Sequence, residues 1–349
     1  MTISRKEILV FVSMLLLFIV LHITAIHFPY HQDEYKWVYY SHTELTPAGT
    51  IPHPPLTEFI YTKMGPIVGD NNFRLIPFFF GVVNFFLLFY LVKTIFDKRV
   101  AFWAVGLFTV SFYSLLASIM VDVDGAIMPF FFLLMAIGYF KWKQSFEIGN
   151  SGWKWLTLII IGAIGGFLIK VSAILPIFDI FLDLLIEKKV FRNKRKIFKY
   201  ILYALIGFTI LYLVLILAQL VFPFFNLQYS LKYWEHFANS SSFLNRGWLQ
   251  TSIQLFKSVL FASPLLVLPA LFVDREIFKK TKVFYFFIFI GLFFYLIAFD
   301  FSLGALDRYF QFIIIPLCII SGAVISKMIE GDGWKVKKGH IISLVLATI

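Results

Sequence analysis

What most limits the folding of this chain is a series of strongly apolar runs with a basic segment at every second junction. Each run is close to the roughly 20 residues a helix needs to cross the hydrocarbon core of a bilayer. Lipid offers the backbone no hydrogen-bond partners, so runs of this length read as helices that satisfy their own N–H and C=O groups. The pattern predicts helices at about 8–28, 74–96, 100–120, 126–140, 155–169, 171–186, 200–222, 253–273, 283–299 and 309–326, with an eleventh beginning near 340. The expected fold is all-α: one polytopic transmembrane bundle of about 10–11 helices over residues 1–349.

Charge gives the bundle a direction. Of the 31 Lys and Arg, 23 fall in alternate junctions: at Arg5 and Lys6, then at 93–99, 141–154, 188–199, 275–282 and 327–338. The positive-inside rule places those junctions and the N-terminus in the cytoplasm. The run at 187–199 therefore reads as a topology signal that meets anionic lipid. The +11 net charge is accounted for in this way, and nucleic acid is not an expected partner. The first apolar run is longer than the ~7–15-residue core of a signal peptide and lacks its small-residue cleavage site, so it reads as an anchor. With only 15% charged residues, against about 25% in soluble domains, bilayer is the natural solvent. The lone Cys318 excludes a disulfide framework and a Cys-based metal site.

The tightest stretch is 155–186, where two helices must fit around Lys170. Fifteen residues reach only about 22 Å of a core about 30 Å thick. One long helix would invert everything downstream and break the charge rule. Two short helices with Lys170 at the outer face are expected instead. No internal repeat stands out. Polar capacity concentrates in two long outer intervals, about 29–73 and 223–252, with short outer links at Asp122–Gly125, Lys170 and Asp300–Asp307.

The first interval holds the densest chemistry: the vicinal acids Asp33 and Glu34, the cation Lys36 and the turn His53-Pro54-Pro55-Leu56. Adjacent side chains diverge on a helix, so the acids cannot act face to face. Either they are a solvated loop pair, or one acts on substrate while the other holds structure. The prolines fix an extended or turned backbone, and a helix starting there would set His53 beside an anion-favouring N-terminus, unless the turn is purely structural. Asp122 and Asp124 form a D-x-D that can hold a divalent cation or cap the next helix. Lys170, Arg308 and Tyr309 stand at outer helix ends, where snorkelling is the ordinary explanation of any one of them. Asp179 and Asp183, four apart near the basic run, read as structural or counter-ion residues, and Asn239-Ser240-Ser241 matches a glycosylation sequon.

Taken together, the acid pair after the first helix, the Pro-Pro-Leu turn, the Asp motif between helices three and four, the Lys after helix five and the later Arg-Tyr resemble the GT-C membrane glycosyltransferases. The nearest branch is the protein O-mannosyltransferase and aminoarabinose-transferase group. The resemblance covers roughly residues 1–326. It implies Asp33 as the base acting on the acceptor, with Glu34 as its paired acid. It implies Lys36, His53, Asp122, Asp124, Lys170, Arg308 and Tyr309 around the phosphate and sugar of the donor. The donor would be a sugar on a polyprenyl phosphate, the acceptor a hydroxyl of protein, lipid or glycan, and the site extracytoplasmic at the cell membrane. Transfer would invert the anomeric centre. Fixed cations would replace a metal, so no cofactor is expected, although Asp122 and Asp124 offer a place for a divalent ion. Relatives commonly run longer, so this chain is expected to be a short member or a fragment lacking a C-terminal part. The alternative is a transporter or lipid-linked-sugar flippase. Transporters place charge near the bilayer midplane in repeated halves, whereas here charge gathers at the outer boundary.

Overall fold

The computed structural model describes residues 4–31, 34, 35, 37, 38, 53–123, 125–239, 249, 252, 253, 264–298 and 312–330. Among them the regular elements are all helices. The order is α1 (Arg5–Ile23), α2 (Leu56–Val68), α3 (Leu75–Ile95), α4 (Lys98–Val110), α5 (Phe112–Ile119), α6 (Ile127–Glu147) and α7 (Trp153–Ile169). Then come α8 (Ile174–Glu187), α9 (Lys194–Val221), α10 (Leu227–Asn239), α11 (Pro264–Ala270), α12 (Arg275–Ala298) and α13 (Ile314–Glu330).

Polar residues set the helix starts. A capping box opens α1: Ser4 Oγ accepts the Glu7 N–H, and the Glu7 carboxylate accepts the Ser4 N–H at 2.8 Å. Asp97 caps α4 by accepting the N–H groups of Arg99 and Val100, and Asn193 caps α9 in the same manner. All three lie beside basic junctions.

The main core packs Phe18, Phe85, Leu88, Ala104, Phe284 and Ile319 from α1, α3, α4, α12 and α13. Helix α13 is buried on nearly every side. By contrast α1 and α9 leave most of their apolar residues exposed, with Leu16 at 56% and Leu220 at 76%. Such faces suit lipid rather than water. Three stretches are long and apolar enough to cross a membrane, Arg5–Ile23, Asp70–Ile95 and Lys194–Val221, and the α4–α5 pair makes a fourth if counted as one broken span. The protein is an integral membrane protein.

The expected single helix over 100–120 is broken. Ser111 is extended (ψ 124°), and α4 and α5 meet there at 69°. The turn lets Ser118 of α5 lie against α3 at Gly81, where an added Cβ would come within 2.7 Å of the Ser118 Cβ. Around Lys170 the two-helix reading holds. Helix α7 stops at Ile169, Lys170 is extended (φ −154°, ψ 136°), and a short 3-10 turn leads into α8. Helix α7 is shielded by close packing on α6: a Cβ on Gly162 would meet the Met135 nitrogen at 2.7 Å, and one on Gly138 would meet the Ile159 nitrogen at 2.8 Å. Small residues that let backbones approach are how membrane helices associate. Of the expected helix at 253–273, the described part is α11.

The basic junctions meet at one end of the bundle, joined by ion pairs. Lys98 pairs with Glu7 at 2.5 Å, Arg99 with Glu330 at 3.0 Å and Lys327 with Asp274 at 2.5 Å. Asp183 of α8 is buried and receives Lys282 at 2.6 Å, Lys143 at 3.3 Å and the Tyr139 hydroxyl, so it is the counter-ion expected of it. Asp179, one turn earlier and equally buried, has no hydrogen-bond partner among the described residues.

Candidate active site

At the opposite end, three segments close around a buried ion pair. The chain leaving α1 carries Pro29 to Tyr35, Arg74 stands at the head of α3, and Ile119 to Val123 link α5 to α6. Glu34 and Arg74 pair at 2.7 Å with side chains only 4% and 7% exposed. Every bond around the pair pulls separate segments together. Glu34 Oε1 accepts the Val121 N–H at 2.9 Å, and Oε2 accepts the His31 N–H at 2.6 Å. Arg74 donates to the carbonyls of Pro29 at 2.9 Å and Ile119 at 3.4 Å. Its guanidinium lies 5.4 Å from the Tyr30 ring centroid, a cation–π contact. The Tyr30 hydroxyl donates to the Asp70 carbonyl at 2.6 Å and accepts the Phe73 N–H at 3.1 Å.

Beside this clasp is an aromatic wall. Trp37, Tyr61, Phe73, Val121, Val123 and Ile169 form one buried cluster. The Trp37 ring lies 5.6 Å from Tyr61 and 6.3 Å from the His53 ring, nearly parallel to the latter. The Tyr61 hydroxyl donates to the Asp122 carbonyl at 3.3 Å. Burial, with the Asp122 and Glu34 charges adding, holds the Tyr61 phenol well above its ordinary range; burial likewise raises Tyr30. Both phenols stay protonated at neutral pH and remain donors.

Of the residues expected at the site, Glu34, His53, Asp122 and Lys170 gather around this wall. Glu34 reaches it through the Val121 N–H, Asp122 through Tyr61 and His53 through Trp37. Lys170 follows Ile169, a member of the cluster, and is itself only 1% exposed. Asp122 is 3% exposed and accepts the Val123 N–H at 2.7 Å. Helix α6, starting after Ala126, takes no side-chain cap, so Asp122 is not its cap. Asp33, Lys36, Asp124, Arg308 and Tyr309 lie outside the described residues, as do Ser240 and Ser241 of the sequon. Among the described residues no group of three metal-ligating side chains is present.

Both oxygens of Glu34 are engaged in holding these segments together. Arg74 is the residue that the sequence reading missed. A signal was available: a cation at the N-terminus of a span opposes the helix dipole and calls for a nearby carboxylate. Helix α2 starts at the Pro-Pro turn as predicted; it buries Thr57, Glu58 and Tyr61 and leaves Phe59 and Ile67 exposed. Leu56, Ile60, Met64 and Val68 pack on the aromatic wall while Phe59 and Ile67 face outward, as suits a helix lying in a membrane interface.

A further feature is a narrow apolar cleft, with about 20 Å³ of free volume, between α6, α8, α12 and α13, lined by Met128, Pro129, Phe132, Pro176, Phe287 and Ile315. Met128 also packs on the aromatic wall, so the cleft opens beside the site.

A helical membrane bundle is also the fold of ArnT, and comparison with solved structures shows that this chain shares it. It matches the crystal structure of ArnT from Cupriavidus metallidurans in the apo state with a TM-score of 0.64 at 14% identity, over 98% of this chain and 62% of that one. Against ArnT from the same organism bound to undecaprenyl phosphate, the TM-score is 0.63 at 15% identity, over 93% and 60%. The chain thus spans about three-fifths of the length of these structures. Residues 52–217 match the family model described as dolichyl-phosphate-mannose-protein mannosyltransferase. That segment runs from the Pro-Pro turn through Asp122 and Lys170 into α9. The resemblance read from the sequence holds. Among curated proteins none matches.

Proposed function

We propose that the protein is a membrane glycosyltransferase that moves a sugar from a polyprenyl phosphate to a hydroxyl of a protein, lipid or glycan at the extracytoplasmic face. The observation that carries this reading is the clasp. Glu34, the neighbour of Asp33 in sequence, ties the chain after α1 to the loop of Asp122, and buried Lys170 follows Ile169 of the adjoining aromatic cluster. Asp33 is the base. The acceptor oxygen attacks the anomeric carbon as the bond from that carbon to the phosphate oxygen breaks. The bonding pair leaves with the phosphate and the hydroxyl proton passes to Asp33. A single displacement inverts the centre.

A positioned base contributes typically about 10²–10⁴-fold. Phosphate is already a good leaving group, so the remaining demand is for cations where charge grows. Lys170, His53, Lys36 and Arg308 fill that role, with Asp122, Asp124 and Tyr309 orienting donor phosphate and sugar. Fixed cations make a metal unnecessary.

The test is incubation of purified protein with a panel of polyprenyl-phosphate sugars and acceptors, reading loss of the headgroup. Asp33→Asn is expected to lower turnover at least about 100-fold while the protein stays folded in detergent. Near-normal turnover in that variant removes Asp33 as base. Activity lost in EDTA and regained with Mn²⁺ replaces the metal-free reading. Donor carried across vesicles with its headgroup intact, and no transfer to any acceptor, makes the protein a flippase instead.

A further inference from the structure

The basic end of the bundle contains an open groove of about 450 Å³ between α1, α4 and α13, far from the Glu34–Arg74 clasp. Its rim is charged and its wall is apolar. At the rim, Glu7 is already held by Lys98 at 2.5 Å, and Glu330 by Arg99 at 3.0 Å. The Asp97 carboxylate is occupied in capping α4. Lys6 is exposed and has no ion-pair partner among the described residues. The Arg99 side chain remains 71% exposed beyond its one bond. Below the rim come Val10, Met14, Phe102 and Trp103, with Val10 44% and Trp103 42% exposed.

An occupant must therefore carry an anion at one end and a long apolar body at the other, and must reach the groove from within the membrane. Basic pockets between transmembrane helices have that character for anionic lipid headgroups. We propose that this groove binds an anionic phospholipid, with its phosphate at Lys6 and Arg99 and an acyl chain along Val10, Met14, Phe102 and Trp103. Zwitterionic lipid fills the same apolar wall but gains less from the rim, because its own cation opposes Lys6. The site stands apart from sugar transfer and does not depend on it.

Native mass spectrometry of the full chain, released from detergent with phosphatidylglycerol or phosphatidylcholine added, tests the assignment. Phosphatidylglycerol is expected to be retained about tenfold more tightly, and Lys6→Gln, which breaks no ion pair, to lower that retention about fivefold. Lys6→Gln with Arg99→Gln is expected to abolish the preference. Lys188→Gln with Lys189→Gln, in the other basic junction, is expected to leave it unchanged. Equal retention of the two lipids overturns the proposal. So does a preference that survives both rim substitutions, or one that disappears with the Lys188 and Lys189 pair.

Discussion

Glu34 and Arg74 are each nearly inaccessible and each held by several bonds, so neither can change alone without stranding the other. Breaking a buried pair from one side leaves an uncompensated charge, typically at about 3–5 kcal/mol, whereas replacing both partners with apolar groups is often close to neutral. Glu34→Gln is therefore expected to lower thermal stability in detergent by that order, and Arg74→Met likewise. The double variant should recover much of the loss. A double-mutant cycle by thermal unfolding measures the coupling; additive losses would mean the clasp is not one unit. Lys170 gives the companion test. Lys170→Met should slow headgroup transfer strongly, and Lys170→Arg should retain more activity because the charge stays in place. Equal activity in the two variants removes charge from the role of Lys170. The acid pair, the Pro-Pro turn, Asp122 and Lys170 were legible in the sequence because ionised or rigid residues are rare in so apolar a chain. Arg74 stood out only as a cation at the head of a span; its partner is 40 positions earlier, and no local pattern says which carboxylate it meets.

Helices α6 and α7 carry the site's geometry through glycine. Gly162 and Gly138 let the two backbones touch, and that approach sets where Lys170 emerges at the end of α7. A methyl group at Gly162 has no free space, and overpacking of this kind costs typically about 1–3 kcal/mol. Gly162→Ala is expected to reduce both thermal stability and transfer. Gly207→Ala on α9, with nothing within 4 Å of the new Cβ, should be neutral or slightly stabilising, since Ala is the better helix former. Thermal inactivation of the pair decides whether the contact or the glycine itself matters. The bend at Ser111 was hidden in the sequence. Residues 100–120 read as one apolar run, and only the packing of Ser118 into the space at Gly81 explains the turn.

Across the whole molecule the two ends are chemically distinct: one knitted by surface ion pairs, the other holding the clasp. Sidedness is testable on the intact protein. Single cysteines at Asn193 and Asp70, in a Cys318→Ser background, should be labelled by an impermeant maleimide from opposite sides of the membrane, with Asn193 on the cytoplasmic side. Labelling of both from one side would refute the expected topology. The basic end should also respond to acid. Asp274 is slightly desolvated, which alone would raise its pKa, but Lys327 and the Ile277 N–H outweigh that and hold it below the ordinary carboxylate range. A carboxylate lowered on folding adds stability above its unfolded value near about pH 4 and loses it as pH falls through the folded value. The difference in melting temperature between wild type and Asp274→Asn should therefore be present at pH 7 and vanish toward pH 3. A difference that persists at pH 3 would exclude this pair as its source.

The sequence alone determined the solvent, the helical class, the alternation of basic junctions and the region where polar groups collect. Apolar run length and charge placement are local properties that a bilayer reads directly. Tertiary structure decided how that region is assembled. It set the bend at Ser111, the glycine contact that places Lys170, and the pairing of Glu34 with Arg74. Each depends on groups distant in sequence sharing one small volume, and hydropathy along a chain carries no record of which distant groups will meet.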